Sequence, residues 1–129
     1  VRDLVRLMER VRPTDIYVTH PADDHADHCA APAFAQAALE RVRAAGRPWA
    51  STTAMHYYII HRGDWPLPQG DVPGAPLLPP QGLSGLDTRW ANAPLDRSAQ
   101  AAKRRALGRY RSQLEVMPRL LTSFLRTNE

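Results

Sequence analysis

The stretch DIYVTHPADDHADHCAAP, Asp15 to Pro32, runs from a short β-branched and aromatic segment into three histidines and three aspartates between His20 and His28. DIYVTH is predicted as a strand with the character of a buried one. From about Asp27 to Ala45 the chain reads as a helix. Pro32 is tolerable there only because it lies near the first turn, and Gly46 followed by Pro48 supplies the stop. Upstream, Leu4, Val5, Met8 and Val11 fall at helical spacing and predict a helix over Val1 to Val11, stopped by Pro13. Downstream, STTAMHYYIIHRG, Ser51 to Gly63, is predicted as a second strand. Helix, strand, helix, strand in alternation is the pattern of a parallel α/β sheet with helices on its faces. Ligands of such sheets sit beyond the carboxyl ends of the strands. The acidic histidine cluster lies at such an end.

The chain of 129 residues is one domain's worth, with the 43% hydrophobic and 23% charged content of an ordinary globular protein. No apolar run approaches the roughly 20 residues that span a bilayer, and no signal peptide opens the chain, so a cytoplasmic location is expected. The first residue is Val1, in a helix already under way, which suggests a chain that begins inside a longer protein. Lys and Arg outnumber Asp and Glu by 17 to 13, giving a net charge of +4 spread over helices. The densest basic run, KRRALGRYR from Lys103 to Arg111, has one tyrosine and none of the aromatic interleaving that stacks bases, so no nucleic-acid partner is expected. A single cysteine, Cys29, excludes an internal disulfide.

Residues 62–95 hold seven of the twelve prolines and five of the seven glycines. Such a run is usually a linker, but Trp65, Trp90 and Leu77-Leu78 argue for an ordered loop. A helix capped by Asp96 or Ser98 follows. Ala99, Ala102, Ala106, Tyr110, Leu114 and Met117 line one face, predicted to pack a core, and Pro118 kinks or restarts the helix.

Within DDHADH, His25 and His28 are three apart at a strand-to-helix junction, so their rings can address one spot. Neutral imidazole is the commonest nitrogen ligand for zinc, and catalytic zinc sites use three protein ligands plus water. Asp27 between them can accept a ring N–H, fixing the tautomer. Asp24 adds a further carboxylate within reach and is the candidate substrate contact. Acidic residues at a helix start also serve as caps, which covers Asp23, Asp24 and Asp27 equally well. His20 shares the strand end, whereas His56 and His61 read as fillers.

DIYVTHPADDHADHCAA resembles the second signature of the PIG-L/LmbE-like zinc-dependent de-N-acetylases, in which a strand ending in Thr-His leads to an H-x-D-H element. KRRALGRYRSQ and the closing FLRTNE resemble that family's ending. The resemblance implies a Rossmann-like, mostly parallel sheet flanked by helices, with this chain as its C-terminal part. It implies Zn2+ or another divalent metal held by His28, an acid and carbonyl-polarising role for His25, and Asp27 as the group that orients His25. The implied reaction removes an N-acetyl group from an amino sugar or its conjugate. The family's first signature, His-Pro-Asp-Asp-Glu, supplies the other two ligands and the general base. It is absent: HPADD at His20 follows the wrong strand and lacks the Glu, so the chain alone is expected to bind zinc poorly and to be inactive. Two rivals stand beside this. A metallo-β-lactamase-like hydrolase would place Asp23 where its H-x-H-x-D-H element needs histidine. A non-catalytic α/β module would use the cluster as a cap and the Pro- and Trp-rich loop as a binding surface.

Overall fold

Residues 1–83 and 89–129 are described by a computed structural model of the chain. They fall into two compact units, Val1–Gly63 and Asp64–Glu129. The first is a mixed α/β unit whose elements are α1 (Arg2–Val11), β1 (Asp15–Thr19), α2 (Ala26–Ala44), a 3-10 turn (Pro48–Ser51) and β2 (Ala54–Tyr58). β1 and β2 form a two-stranded parallel sheet, with Ile16 opposite Met55 and Tyr17 opposite His56. Parallel pairing follows from the α2 crossover, which gives the chain the length to return to the same end of the sheet.

Met8 of α1, Ala38, Leu39 and Val42 of α2, and Ala50 are buried together, and Ile16, Met55 and Trp49 pack against them. One stripe of each helix and one face of the sheet therefore make the core. β1 is half-buried rather than buried: Ile16 and Val18 are partly covered, while Asp15 and Tyr17 are exposed. On that outer face Tyr17 stacks on His56 at 4.7 Å, and the His56 ring bonds Asp15 at 2.7 Å. α1 ends with Arg12 in the left-handed region at φ 52°, its N–H donating to the Met8 carbonyl, so the stop precedes Pro13. α2 ends before Gly46, whose φ of 69° suits glycine.

The predicted second strand is corrected at both ends. Pro48–Ser51 closes a 3-10 turn instead, with Pro48 pre-set for its start and Ser51 Oγ donating to the Pro48 carbonyl. Ile60 and His61 leave β2 because their N–H groups donate to a side chain, as described below.

In the second unit the Pro-rich segment is held by its own bonds and by the C-terminal residues. Trp65 Nε1 donates to the Leu78 carbonyl at 2.7 Å, and its ring meets Phe124 edge-on at 5.5 Å. Asn128 accepts from Leu77 N–H and donates to the Leu77 carbonyl, and Ser123 Oγ accepts from Gly70 N–H. Arg126, 2% exposed, donates to the Val72 and Pro68 carbonyls. Residues 84–88, part of the predicted loop, lie outside the described residues.

The predicted long helix is three: α3 (Arg97–Leu107), α4 (Arg111–Val116) and α5 (Pro118–Ser123). Asp96 caps α3, accepting from Ala99 N–H. The core-packing expectation for its alanine face is overturned, because α3 has no buried residue and Ala102, Ala106, Tyr110 and Met117 are exposed. Methyl groups spaced along a helix cover too little apolar area to hold it against a core. No helix among the described residues is long and apolar enough to cross a membrane.

Candidate functional site at the strand ends

Beyond Thr19 and Tyr58 the two strands stop pairing by regular ladder bonds, and side chains take over. His20 N–H still donates to the Tyr58 carbonyl at 2.7 Å. Past that point Asp23 turns its carboxylate to the β2 side, where Oδ2 accepts from Ile60 N–H at 2.8 Å and His61 N–H at 3.0 Å. Asp24 N–H donates to the His61 carbonyl at 2.7 Å. Its carboxylate accepts from Gly63 N–H at 2.7 Å and from Arg62 at 3.1 Å. The adjacent aspartates thus splice the two strand ends together where the backbones diverge. Asp24, the expected substrate contact, is engaged with Arg62 and Gly63.

The other oxygen of Asp23 faces the helix start. Oδ1 accepts from His25 N–H at 3.0 Å and from the His28 ring Nδ1 at 3.1 Å. The Asp23 side chain has no exposed surface, against 30% exposure for His28. Burial acts to push the carboxyl up, but the N–H bonds from His61, His25 and Ile60 and the nearby His28 ring outweigh it. Asp23 is therefore held below the ordinary carboxylate range, and as an ionised carboxylate it can only accept. A proton shared between Asp23 and His28 is therefore assigned to Nδ1, and a neutral His28 ring then carries its lone pair on Nε2. Thr19 Oγ1 donates to the His28 carbonyl at 2.7 Å and ties the end of β1 to the same residue.

His25 is wired the opposite way. It is the N-cap of α2, with extended backbone at φ −86° and ψ 128°, and its ring Nδ1 accepts from Asp27 N–H at 3.2 Å. A neutral His25 then carries its proton on Nε2. Asp27 does meet His25, as expected, but the bond comes from its backbone N–H. The rings of His25 and His28 lie 4.7 Å apart, centroid to centroid.

A third ring joins them. His61 lies 5.3 Å from His28, nearly parallel at 25°, and 5.9 Å from His25. Sequence reasoning set His61 aside as a filler and Asp23 as a cap. The signal for His61 was available: the rule that placed His20 at a strand's carboxyl end applies equally to the second parallel strand, which runs out at IIHRG. His20 sits at the rim, its Nδ1 accepting from Ala22 N–H at 3.0 Å and its ring edge-on to Tyr57, with centroids 5.9 Å apart. Desolvation and the Arg62 charge lower its pKa against the opposing pull of Asp23. Cys29 is exposed, its thiol directed to the Pro21 carbonyl.

Among the described residues no group of three or more His, Cys, Asp and Glu side chains is disposed to hold a metal ion. His28, with Nε2 unprotonated, matches the chemistry of one ligand, short of a complete set. Comparison with protein-family models, curated proteins and solved structures finds no match to this chain.

Proposed function

We propose that the chain carries one side of the site of a metal-dependent amide hydrolase of the PIG-L/LmbE-like kind, removing an N-acetyl group from an amino sugar or its conjugate. The observation that supports it most is the opposite wiring of two neighbouring histidines. His28 offers a bare Nε2, the state a metal ligand needs, and His25 offers an Nε2–H, the state that donates a hydrogen bond to a carbonyl oxygen as it gains charge. In this reading the two strands belong to a larger Rossmann-like, mostly parallel sheet, and Asp24 serves as a splice between the strand ends.

A divalent metal, zinc in this reading, would polarise the amide carbonyl and supply a nucleophilic water when bound. This chain contributes His28 to it, and the remaining ligands and the general base belong to a His-Pro-Asp-Asp-Glu signature that the sequence lacks. The chain's own share of the chemistry is His25. Its Nε2–H donates to the substrate carbonyl and strengthens that bond as the oxygen gains charge; the leaving nitrogen would take the proton that the general base has removed from the attacking water.

The test measures acetate released from N-acetylglucosamine conjugates, with zinc present, by the chain alone and by the chain joined to a segment bearing the signature. Release only from the joined protein is expected. Release by the chain alone refutes the shared site, and no release from a folded, zinc-loaded joined protein refutes the hydrolase reading.

A further inference from the structure

We infer that Asp23 is a positioning residue: its buried carboxylate holds His28 as the Nδ1–H form and ties the end of β2, with His61, to the same histidine. Three backbone N–H groups donate to it, two from the β2 side and one from the helix start, and the His28 ring Nδ1 lies 3.1 Å from its Oδ1. The neutral histidine side chain in water favours the Nε2–H form, so the bare Nε2 of His28 is a state the protein must impose. Asp23 is the group that imposes it, because an ionised carboxylate cannot donate and leaves Nδ1 no alternative to carrying the proton. The bond also fixes the rotation of the ring, since Nδ1 must face the buried oxygen. Asp27, which occupies the expected position of an orienting carboxylate, leaves this role vacant: its bond to His25 is a backbone N–H that selects the opposite tautomer.

The bearing of this on catalysis rests on the hydrolase reading, whereas the tautomer itself does not. A residue that only pinned the strand ends would stabilise the fold without selecting a ring form. The readout that separates the two roles is the imidazole nitrogen spectrum of the 15N-labelled chain at about pH 8. Wild type is expected to show His28 protonated at Nδ1 and His25 at Nε2. In Asp23→Asn, two backbone N–H groups on the β2 side outbid one at His25 for the amide oxygen. The amide NH2 then faces His28 Nδ1, and the ring is expected to convert to Nε2–H while His25 is unchanged.

A wild-type His28 found as Nε2–H overturns the inference even if the variant does not fold. A folded Asp23→Asn in which His28 stays Nδ1–H overturns it as well. Should the tautomers behave as expected while the zinc-loaded joined protein releases no acetate, the hydrolase reading fails and the role of Asp23 stands.

Discussion

Asp23 and Asp24 are neighbours in sequence with opposite surroundings, one side chain shut off from solvent and the other 47% exposed. Their substitution by alanine should differ accordingly. Asp23→Ala strands three backbone N–H groups in part-buried bonds, those of His25, Ile60 and His61, at about 1 kcal/mol or more each, so a loss of about 3 kcal/mol or more is expected in urea unfolding. Asp24→Ala removes an exposed pair and one N–H partner and should cost about 1 kcal/mol or less. Equal losses would show that burial is not what separates them. The two histidines should separate by function. In the protein joined to the missing signature, His28→Ala is expected to lose zinc. His25→Ala should keep zinc and lose roughly 10²–10³-fold in rate, the usual cost of removing one donor to a developing oxyanion; loss of metal from both would make both ligands. From the sequence, the His25 and His28 pair was legible through spacing. Asp23 was not, because a carboxylate three-dimensionally surrounded by donors and one that caps a helix are written with the same letter.

Elements were legible where periodicity and stop signals agreed. α1 and α2 match their predicted spans to within a residue or so, since a hydrophobic stripe ahead of Pro13 marks the first and Gly46 marks the end of the second. β2 was overextended because β-branched and aromatic residues continue through Ile59 and Ile60, while the bonds that peel Ile60 away come from Asp23, 37 positions earlier. Packing of α1, α2 and the strands rests on few residues, with Leu39 at 0% exposure near the centre. Leu39→Ala should therefore cost about 2–5 kcal/mol, measured by chemical denaturation. A loss below about 1 kcal/mol would mean that the core collapses around the gap. α3, with no buried residue, depends on its ends: the Asp96 cap, and Arg104 paired with Asp71 at 2.7 and 2.8 Å. The Ala99 N–H holds Asp96, and the Arg104 guanidinium holds Asp71, below the ordinary carboxylate range. Groups with depressed folded values stabilise above their unfolded pKa, about 3.9, and lose that stabilisation as pH falls through the folded value. The amides of α3 are thus expected to lose exchange protection below about pH 4, and in Asp96→Ala at neutral pH. Unchanged protection in both would mean α3 does not rely on its ends.

At the scale of the whole molecule, the alternation of helix and strand announced a parallel α/β arrangement, and the structure has one in its smallest form. What alternation could not convey is the number of strands, because each strand's letters describe its own two faces and say nothing of who lies alongside. Thr14 C=O accepts from Ala54 N–H and His20 N–H donates to Tyr58 C=O, so the even-numbered residues of β1 face β2. Asp15, Tyr17 and Thr19 turn their backbone groups the other way. Beside them Leu4, Leu7, Val11, Tyr17 and Phe34 line an apolar groove of about 590 Å³, with Val11 60%, Tyr17 70% and Phe34 54% exposed. A two-stranded sheet is marginal in water, and an open edge flanked by apolar side chains is a template for pairing between chains. Residues 1–129 alone are therefore expected to self-associate as concentration rises, seen as a concentration-dependent mass in sedimentation. Val11→Lys places a charge in the groove at a position outside the core and should suppress association while leaving the thermal midpoint at low concentration within a few degrees. A chain that stays monomeric up to millimolar concentration, or associates equally with the lysine in place, would show that this edge is not the sticky surface.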